Sequence, residues 1–300
     1  MPISPHLLRS GDSLDLAQQP PGQFHFLQAS GRGIQADVPP GWLSVWWPLR
    51  GELSLSSGGS EWRVTSRQAQ VWREGALRCR SLGPHAWLAI TGSASLWEAR
   101  LNGRDHGQAS ALLPWRGRIR HDCAGLLIRL ARSTLPSSAP HNDDTTTLLE
   151  AFTVSLLEQQ SALQALLSRC NGRTHERRRQ TLMRLLRVRH LIECNPDTRL
   201  DLERLSRMAN YSPCHLIRVY RAVFDETPSE YASRLREQQA WRMVSDTGLP
   251  ICEITEMLGF ESQSAFCRAF KNAFGQTTSE VRRAPRRMET DRDRRERVAA

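Results

Sequence analysis

Long apolar runs are missing from this 300-residue chain, and so are the basic start and apolar core of a secretion signal. A helix needs about 20 consecutive, mostly apolar residues to cross a bilayer. A signal peptide needs both of its missing parts at the N-terminus. The sequence therefore predicts a cytoplasmic protein without a membrane partner.

Cysteines and histidines lack the spacing of a metal site. The seven cysteines are scattered and none forms a Cys-x-x-Cys pair, which argues against a zinc ribbon and a disulfide framework. The N-terminal histidines are widely spread without a His-x-His pair. His121 and Cys123 would share one strand face, but two ligands do not make a site. We expect no metal and no other cofactor.

Sequence signatures of catalysis are absent as well. The chain has neither a glycine-rich phosphate loop nor a Gly-x-Ser-x-Gly elbow. The cysteine spacing offers no partner that would activate a thiolate, as a DNA-repair methyltransferase requires. We expect no catalytic residues and interpret the protein as a non-enzyme.

Positive charge is concentrated in the C-terminal part. The net charge is +10, and residues 172–300 hold 25 basic and 18 acidic residues, which leaves +7 there and +3 in residues 1–171. A basic balance indicates a polyanionic partner, usually nucleic acid. A basic protein need not bind DNA, however, so this signal requires a second one.

The N-terminal half has the pattern of β-structure. Residues 20–132 contain short, often alternating apolar segments between Gly, Pro and Ser clusters, and the last of them is GLLIRLA at 125–131. Eight of the nine tryptophans lie between Trp42 and Trp115, so they fill the interior or line a ligand cavity. We predict a small barrel or sandwich and leave both roles of the tryptophans open.

Two boundaries follow this half. Residues 133–146 are polar and turn-forming, and 146–170 have the apolar period of a helix that packs on the β-domain or on a second subunit. A second boundary at 171–179 precedes a helical region. The tail, 286–300, has both charges and almost no apolar residues, which predicts a solvated, disordered segment.

An internal repeat organises the helical region. Residues 211–231 align without gaps on 261–281 at an offset of 50, which matches Ser212 with Ser262 and Arg218 with Arg268. In each copy a short helix and a tight turn precede a serine that can cap a second helix. The apolar period predicts a buried stripe in each second helix, formed by Leu216, Val219, Tyr220 and Val223 in copy one and by Phe266, Ala269, Phe270 and Phe274 in copy two. Two such helices make a helix-turn-helix unit, whose second helix can enter the DNA major groove.

The outward faces of the two second helices are basic and polar. Arginine can bond guanine bidentately, glutamine can bond adenine, and alanine or isoleucine can contact the thymine methyl group. One arginine is most often a solvated residue, but two at the same position of a repeat favour a shared role. The candidate DNA-binding residues are Cys214, Ile217, Arg218, Arg221, Gln263, Ser264, Ala265, Arg268 and Lys271.

Residues 176–283, with the run ICEITEMLGFESQSAFCRAFKNAFGQTTSEVRR at 251–283, resemble the DNA-binding domain of AraC/XylS-type transcription regulators. The resemblance implies a long helix at 228–246 between two helix-turn-helix units, whose recognition helices enter successive major grooves. The N-terminal half is more weakly similar to the β-barrel sensor domains of that family, which bind effectors or mediate dimerisation. Asp225 departs from the pattern, because a glycine often follows the helix there.

These observations give an α+β multidomain interpretation, with a small, cupin-like β-barrel followed by an all-α domain. Its segments are a sensor domain at 1–135, a linker with a candidate dimerisation helix at 136–175, the DNA-binding domain at 176–285 and the tail at 286–300. Within the DNA-binding domain the units are 202–223 and 251–274, joined by helix 228–246.

The predicted function is a sequence-specific, effector-responsive transcription regulator. Its partners would be double-stranded DNA, RNA polymerase, a small-molecule effector and a second copy of the chain. The alternative is an enzyme or ligand-binding β-barrel protein, for example of the DNA-repair type, that uses its helical half only as a DNA tether. A co-regulator that no longer binds DNA is disfavoured by Arg218 and Arg268.

Overall fold

A computed structural model describes residues 3–73, 75–102, 111–134, 142–194 and 201–283. The predicted tail at 286–300 lies outside these ranges. Within them, every helix is too short or too polar to cross a membrane.

The N-terminal half is rich in short strands whose side chains alternate between core and surface. In Ser60–Thr65, for example, Ser60, Trp62 and Val64 are buried and the residues between them are exposed. The described strands are β1 (Ile3–Arg9), β2 (Ser13–Asp15), β3 (Phe24–Gly31), β4 (Ile34–Val38), β5 (Trp42–Arg50), β6 (Glu52–Ser57), β7 (Ser60–Thr65), β8 (Gln68–Trp72), β9 (Leu77–Ser81), β10 (His85–Ser93) and β11 (Trp115–Arg118).

These strands form two sheets. One has the order β1-β3-β10-β5-β8-β11 and the other β2-β4-β9-β6-β7. The pairs β1–β3 and β2–β4 are parallel, and the remaining pairs are antiparallel. Within the described ranges no strand ladder joins one sheet to the other, so the predicted closed barrel is wrong and the arrangement is an open sandwich. The cupin-like detail stays a prediction.

The helices complete the chain. Their bounds are α1 (Ala94–Asn102), α2 (His121–Ser133), α3 (Asn142–Gln159), α4 (Ser161–Ala165), α5 (His175–Cys194), α6 (Leu202–Ala209), α7 (Pro213–Phe224), α8 (Pro228–Asp246), α9 (Ile251–Met257), α10 (Gln263–Phe274) and α11 (Thr278–Arg283).

Tryptophans dominate the space between the two sheets. Trp46, Trp62, Trp72 and Trp87 are buried there with aliphatic side chains from both sheets. The other face of the first sheet is covered by α1, α2 and α3. Seven of the eight N-terminal tryptophans are buried, and Trp115 is half-buried. Most of them therefore fill the interior, as one of the two interpretations predicted.

The segment GLLIRLA is helical, so its prediction as a strand is wrong, and His121 and Cys123 start the same helix, α2. Cys123, Leu127, Leu130 and Ala131 form a buried stripe at helical spacing on the first sheet. A short apolar run fits either period, and packing against α3 and the sheet decides for the helix.

Helix α3 uses its apolar stripe inside the chain. Leu149, Phe152 and Leu156 are buried with α2 against the first sheet, which answers whether this helix packs on the β-domain or on another subunit. The helix ends at a fully buried Gln160, whose amide exchanges two hydrogen bonds of 2.8 Å with the backbone of Leu113. Beyond it, Leu163 and Leu167 pack with the helical half.

Helix α5 connects the two halves through one surface, here called the α5–sandwich contact. His190 lies against the rings of Trp62 and Trp72, with centroid distances of 4.4 and 5.2 Å. Glu193 pairs with Arg116 of β11 at 3.3 Å. Edge strands β7 and β11 thus meet a helix at the open side of the sandwich.

Burial keeps His190 neutral. The ring is 7% exposed, and burial together with the nearby Arg116 charge lowers its pKa to about 3. Its Nε2 lies 3.4 Å from the sulfur of Cys194, a thiol whose pKa burial raises to about 12. Protonation of His190 would therefore place a cation in a site that does not solvate it.

Stability should fall in mild acid because of His190. Below its unfolded pKa of about 6.5 the unfolded chain takes up a proton that the folded chain accepts only near pH 3. Between about pH 7.5 and about pH 5.5 this residue should remove about 1.4 kcal/mol from the free energy of unfolding. His190→Phe keeps a ring packed on both tryptophans, and its free energy of unfolding should not show this loss.

Urea unfolding of wild type and variant at the two pH values measures the difference. Since all other titrating groups are shared, identical pH dependences in the two proteins would contradict a neutral, buried His190.

Candidate nucleic-acid interface

Two small cores lie along one helix in the C-terminal half. The first contains α5, α6, α7 and the N-terminal part of α8, with Tyr220 and Tyr231 buried at its centre. The second contains α9, α10, α11 and the C-terminal part of α8, with Phe266 and Phe270 buried. Helix α8 therefore belongs to both cores and holds them together.

Each repeated helix begins at a serine cap. The Ser212 hydroxyl oxygen accepts from the backbone N–H of His215 at 3.4 Å, and Ser262 accepts from Ala265 at 3.2 Å. Pro213 occupies the first turn of α7, where its missing N–H leaves no hydrogen bond unmade. These caps fix where the two helices start and how their first turns face solvent.

The turns before the caps differ by one residue. Copy one turns at Asn210, with φ 54°, and copy two turns at Gly259, with φ 68°. Two residues separate Asn210 from Pro213, whereas three separate Gly259 from Gln263. The gapless repeat therefore begins only after the turn.

The helices of the two copies also end alike. Asp225 and Gly275, one repeat apart, both have left-handed backbones with φ 63° and 69°. Their N–H groups donate to the carbonyls of Arg221 and Lys271. Aspartate tolerates this conformation less comfortably than glycine, and Arg169 donates to the Asp225 carboxylate.

The buried stripe is complete in copy one and partial in copy two. Leu216, Val219, Tyr220 and Val223 are all buried. In copy two Phe266 and Phe270 are buried and Phe274 is half-buried, but Ala269 is exposed, so its predicted burial is wrong. Within the described ranges, copy one packs against α5 and copy two has no equivalent helix.

The structure brings the nine predicted residues to the solvent side of α7 and α10. Seven are exposed and two are half-buried, and none belongs to the buried stripes. The exposed ones are Cys214, Arg218, Arg221, Gln263, Ser264, Arg268 and Lys271, and the half-buried ones are Ile217 and Ala265. Their contacts with DNA stay a prediction.

Electrostatically, both faces carry one sign. Neither α7 nor α10 contains an acidic residue, and the last turn of each holds a basic residue, Arg221 or Lys271. Neighbouring α9, by contrast, carries Glu253 and Glu256. A face with two cations per helix attracts a phosphate backbone, and neither helix has a carboxylate that would repel the phosphates.

His215, which the sequence analysis missed, contacts Arg218. The ring Nδ1 lies 3.0 Å from Arg218 Nη2 and accepts from the guanidinium. The rings of His215 and Tyr211 pack edge to face at a centroid distance of 4.8 Å. The i, i+3 spacing of His215 and Arg218 was the available signal. Arg268 instead donates to the Ser264 carbonyl at 3.4 Å.

Comparisons with known proteins agree with this geometry. A family model described as a helix-turn-helix domain matches residues 205–284. The RCS-specific HTH-type transcriptional activator RclR of Escherichia coli is 34% identical over 87 residues, which cover 29% of this chain and 31% of RclR. The multiple antibiotic resistance protein MarA of Salmonella typhimurium is 31% identical over 83 residues, 28% of this chain and 65% of MarA.

Among solved structures, the C-terminal domain of AraT, a response regulator from Geobacillus stearothermophilus, is 29% identical. The alignment covers 35% of this chain and 88% of that domain, with a TM-score of 0.32. The curated similarity is confined to the helical half, and this chain spans about a third of the length of RclR.

Two glycines at open positions should respond oppositely to alanine. An added Cβ would meet nothing within 4 Å at Gly275 or at Gly248, but only Gly275 has a positive φ. Gly275→Ala should lower the free energy of unfolding by about 1 kcal/mol, because a Cβ strains the left-handed backbone. Gly248→Ala should leave it unchanged or raise it by about 0.5 kcal/mol. Urea unfolding measures both, and equal losses would show that backbone conformation is not what Gly275 supplies.

Proposed function

From the premise that residues 205–284 form an AraC/XylS-type helix-turn-helix domain, we propose that the protein is a sequence-specific, DNA-binding transcription regulator. The observation that carries the proposal is the repeated, capped helix with an acid-free outward face. Arg218 and Arg268 are exposed at equivalent positions of α7 and α10.

Each recognition helix lies in a major groove. Arg218 and Arg268 donate to guanine, Gln263 bonds adenine, and Ile217 and Ala265 contact thymine methyl groups. Arg221, Lys271 and the helix N-termini contact phosphates and fix the register. Cys214 and Ser264 lie beside these groups at the starts of the helices.

Helix α8 sets the distance between the two contacts. Its 19 residues span about 28 Å, which is close to one turn of B-DNA, roughly 34 Å. Two recognition helices held at its ends reach successive major grooves on one DNA face. The two proposed helix-turn-helix units span residues 202–223 and 251–274.

The N-terminal half acts as the sensor, and residues 1–135 and 136–175 are its domain and linker. An effector would change how α5 contacts the sandwich. This change would alter the position of the first helix-turn-helix unit relative to DNA. RNA polymerase and a second copy of the chain are the proposed protein partners. Because the apolar stripe of α3 is buried inside the chain, the proposed dimer uses another surface.

The buried cysteines give no support to DNA-tethered thiol chemistry, the alternative to regulation. Burial raises the pKa of Cys123 and Cys194 to about 12 and that of Cys170 to about 11. Such thiols stay protonated and are poor nucleophiles. No group of three metal-binding side chains occurs in the described part of the chain.

Selection from random duplexes tests the proposal. The full-length protein should enrich a motif with two sub-sites about one helical turn apart. Arg268→Ala should weaken binding to that motif by about 1–3 kcal/mol and relax one base pair in one sub-site only.

The matched control is Arg242→Ala, which removes the same charge from an exposed position on α8. It should leave the motif unchanged. If wild type enriches nothing, or if the Arg268 and Arg242 variants select the same motif as wild type, the assignment of α10 as a recognition helix is wrong.

A further inference from the structure

A cavity of about 260 Å³ lies at the α5–sandwich contact. Strands β8 and β11 form one wall, and α5 with residues 159–163 forms the other. Trp115, Leu163 and Leu186 supply apolar surface, and Gln70 and Arg116 supply polar groups. The volume is near the lower end of the range for small-molecule pockets, roughly 300–1,000 Å³.

Gln70 brings an unused acceptor to this cavity. Its side chain is 1% exposed, and its amide N–H donates to the Val71 carbonyl at 3.1 Å. The amide oxygen has no hydrogen-bond partner among the described residues. A buried carbonyl without a donor is costly, so this position favours a ligand that donates a hydrogen bond.

Arg116 stands beside Gln70 at the polar side of the cavity. The two residues are direct partners on neighbouring strands, which places their Cβ atoms about 5 Å apart on one face. The Arg116 guanidinium reaches Glu193 at 3.3 Å, longer than an ordinary hydrogen bond, and the Cys194 sulfur at 4.0 Å. Its side chain is only 18% exposed, so this cation is largely removed from water and held by two long contacts.

Glu193 is shared between Arg116 and other partners, so it does not fully neutralise the Arg116 charge. Its Oε1 accepts from the Tyr231 hydroxyl and lies 3.5 Å from Arg189 Nε. Arg189 also lies over the Tyr231 ring at 4.6 Å. Two guanidinium groups therefore share one carboxylate, and the polar side of the cavity has a surplus of one positive charge.

We propose that this cavity binds a small monocarboxylate that carries a hydroxyl or N–H group next to the carboxylate and an apolar ring. Arg116 donates to the carboxylate, and the neighbouring hydroxyl or N–H donates to the Gln70 amide oxygen. The ring packs against Trp115, Leu163 and Leu186.

The site gives the ligand a route to the DNA-binding half, a step that rests on the proposed function. Leu186, Arg189 and His190 of the cavity wall belong to α5, and α5 is also part of the core beneath α7. A ligand that binds the sandwich and contacts α5 changes how strongly that helix packs against the sandwich.

Calorimetric titration of the full-length protein with three matched probes tests the site. Mandelate has the carboxylate, hydroxyl and ring, phenylacetate lacks the hydroxyl, and mandelamide lacks the charge. Mandelate should bind about tenfold more tightly than either of the others. Phenylacetate lacks the hydroxyl that donates to Gln70, and mandelamide lacks the carboxylate that accepts from Arg116.

Two variants should remove one preference each. Gln70→Leu, or Gln70→Met if the first variant does not fold, should bind mandelate and phenylacetate equally and still prefer mandelate over mandelamide. Arg116→Met should lose the preference over mandelamide and keep the preference over phenylacetate. Gln159→Leu is the control, since both ends of that lining amide already bond to the backbone of Arg118 and Arg120. It should keep both preferences.

Failure of wild type to bind mandelate, equal affinity for the three probes, or an unchanged pattern in the Gln70 variants would overturn the proposal. Because these titrations need no DNA, they separate the site from the proposed function. If mandelate binds as expected while DNA affinity is unchanged in its presence, the site stands and its regulatory role fails.

Discussion

The continuous helix α8 is the constraint on which the DNA-binding half depends. Near its start Tyr231 and Ala232 are buried in the first core, and near its end Ala240 and Val244 are buried in the second. The start is fixed by a capping box in which Thr227 and Glu230 exchange side-chain and backbone hydrogen bonds. Bending this continuous helix at its middle would break its backbone hydrogen bonds, so α7 and α10 keep one separation.

Helix α5 carries the second constraint, because it belongs to the helical core and also contacts the sandwich. Leu182 and Leu185 are buried below α6 and α7, while His190 and Glu193 meet the two edge strands. A change in the sandwich therefore reaches the first helix-turn-helix unit directly and the second only through α8. Within the described ranges, the first unit packs on both α5 and α8, whereas the second packs on α8 and the short helix α11.

Local signals explain what the sequence predicted well. A capping serine, an apolar period and a repeat lie within a few residues of each other, and they located α7, α10 and their outward residues. The segment GLLIRLA failed because a short apolar run has no decisive period, and α2 is selected by the sheet and α3 that pack on it. The same holds for the open sandwich and for the pairing of Arg116 with Glu193, 77 residues apart, since only tertiary packing brings such groups together. Ala269 differs from Val219 for that reason too.

The most direct test of the rigid two-helix account is guanine methylation interference with the full-length protein on its selected duplexes. Methylation at N7 blocks contacts in the major groove, so the account predicts two clusters of interference on one face of the DNA. Their separation should be about one helical turn, roughly 10 base pairs, and should be constant from site to site. A single cluster, or two clusters whose spacing varies among sites, would contradict the claim that α8 holds two recognition helices at a fixed distance.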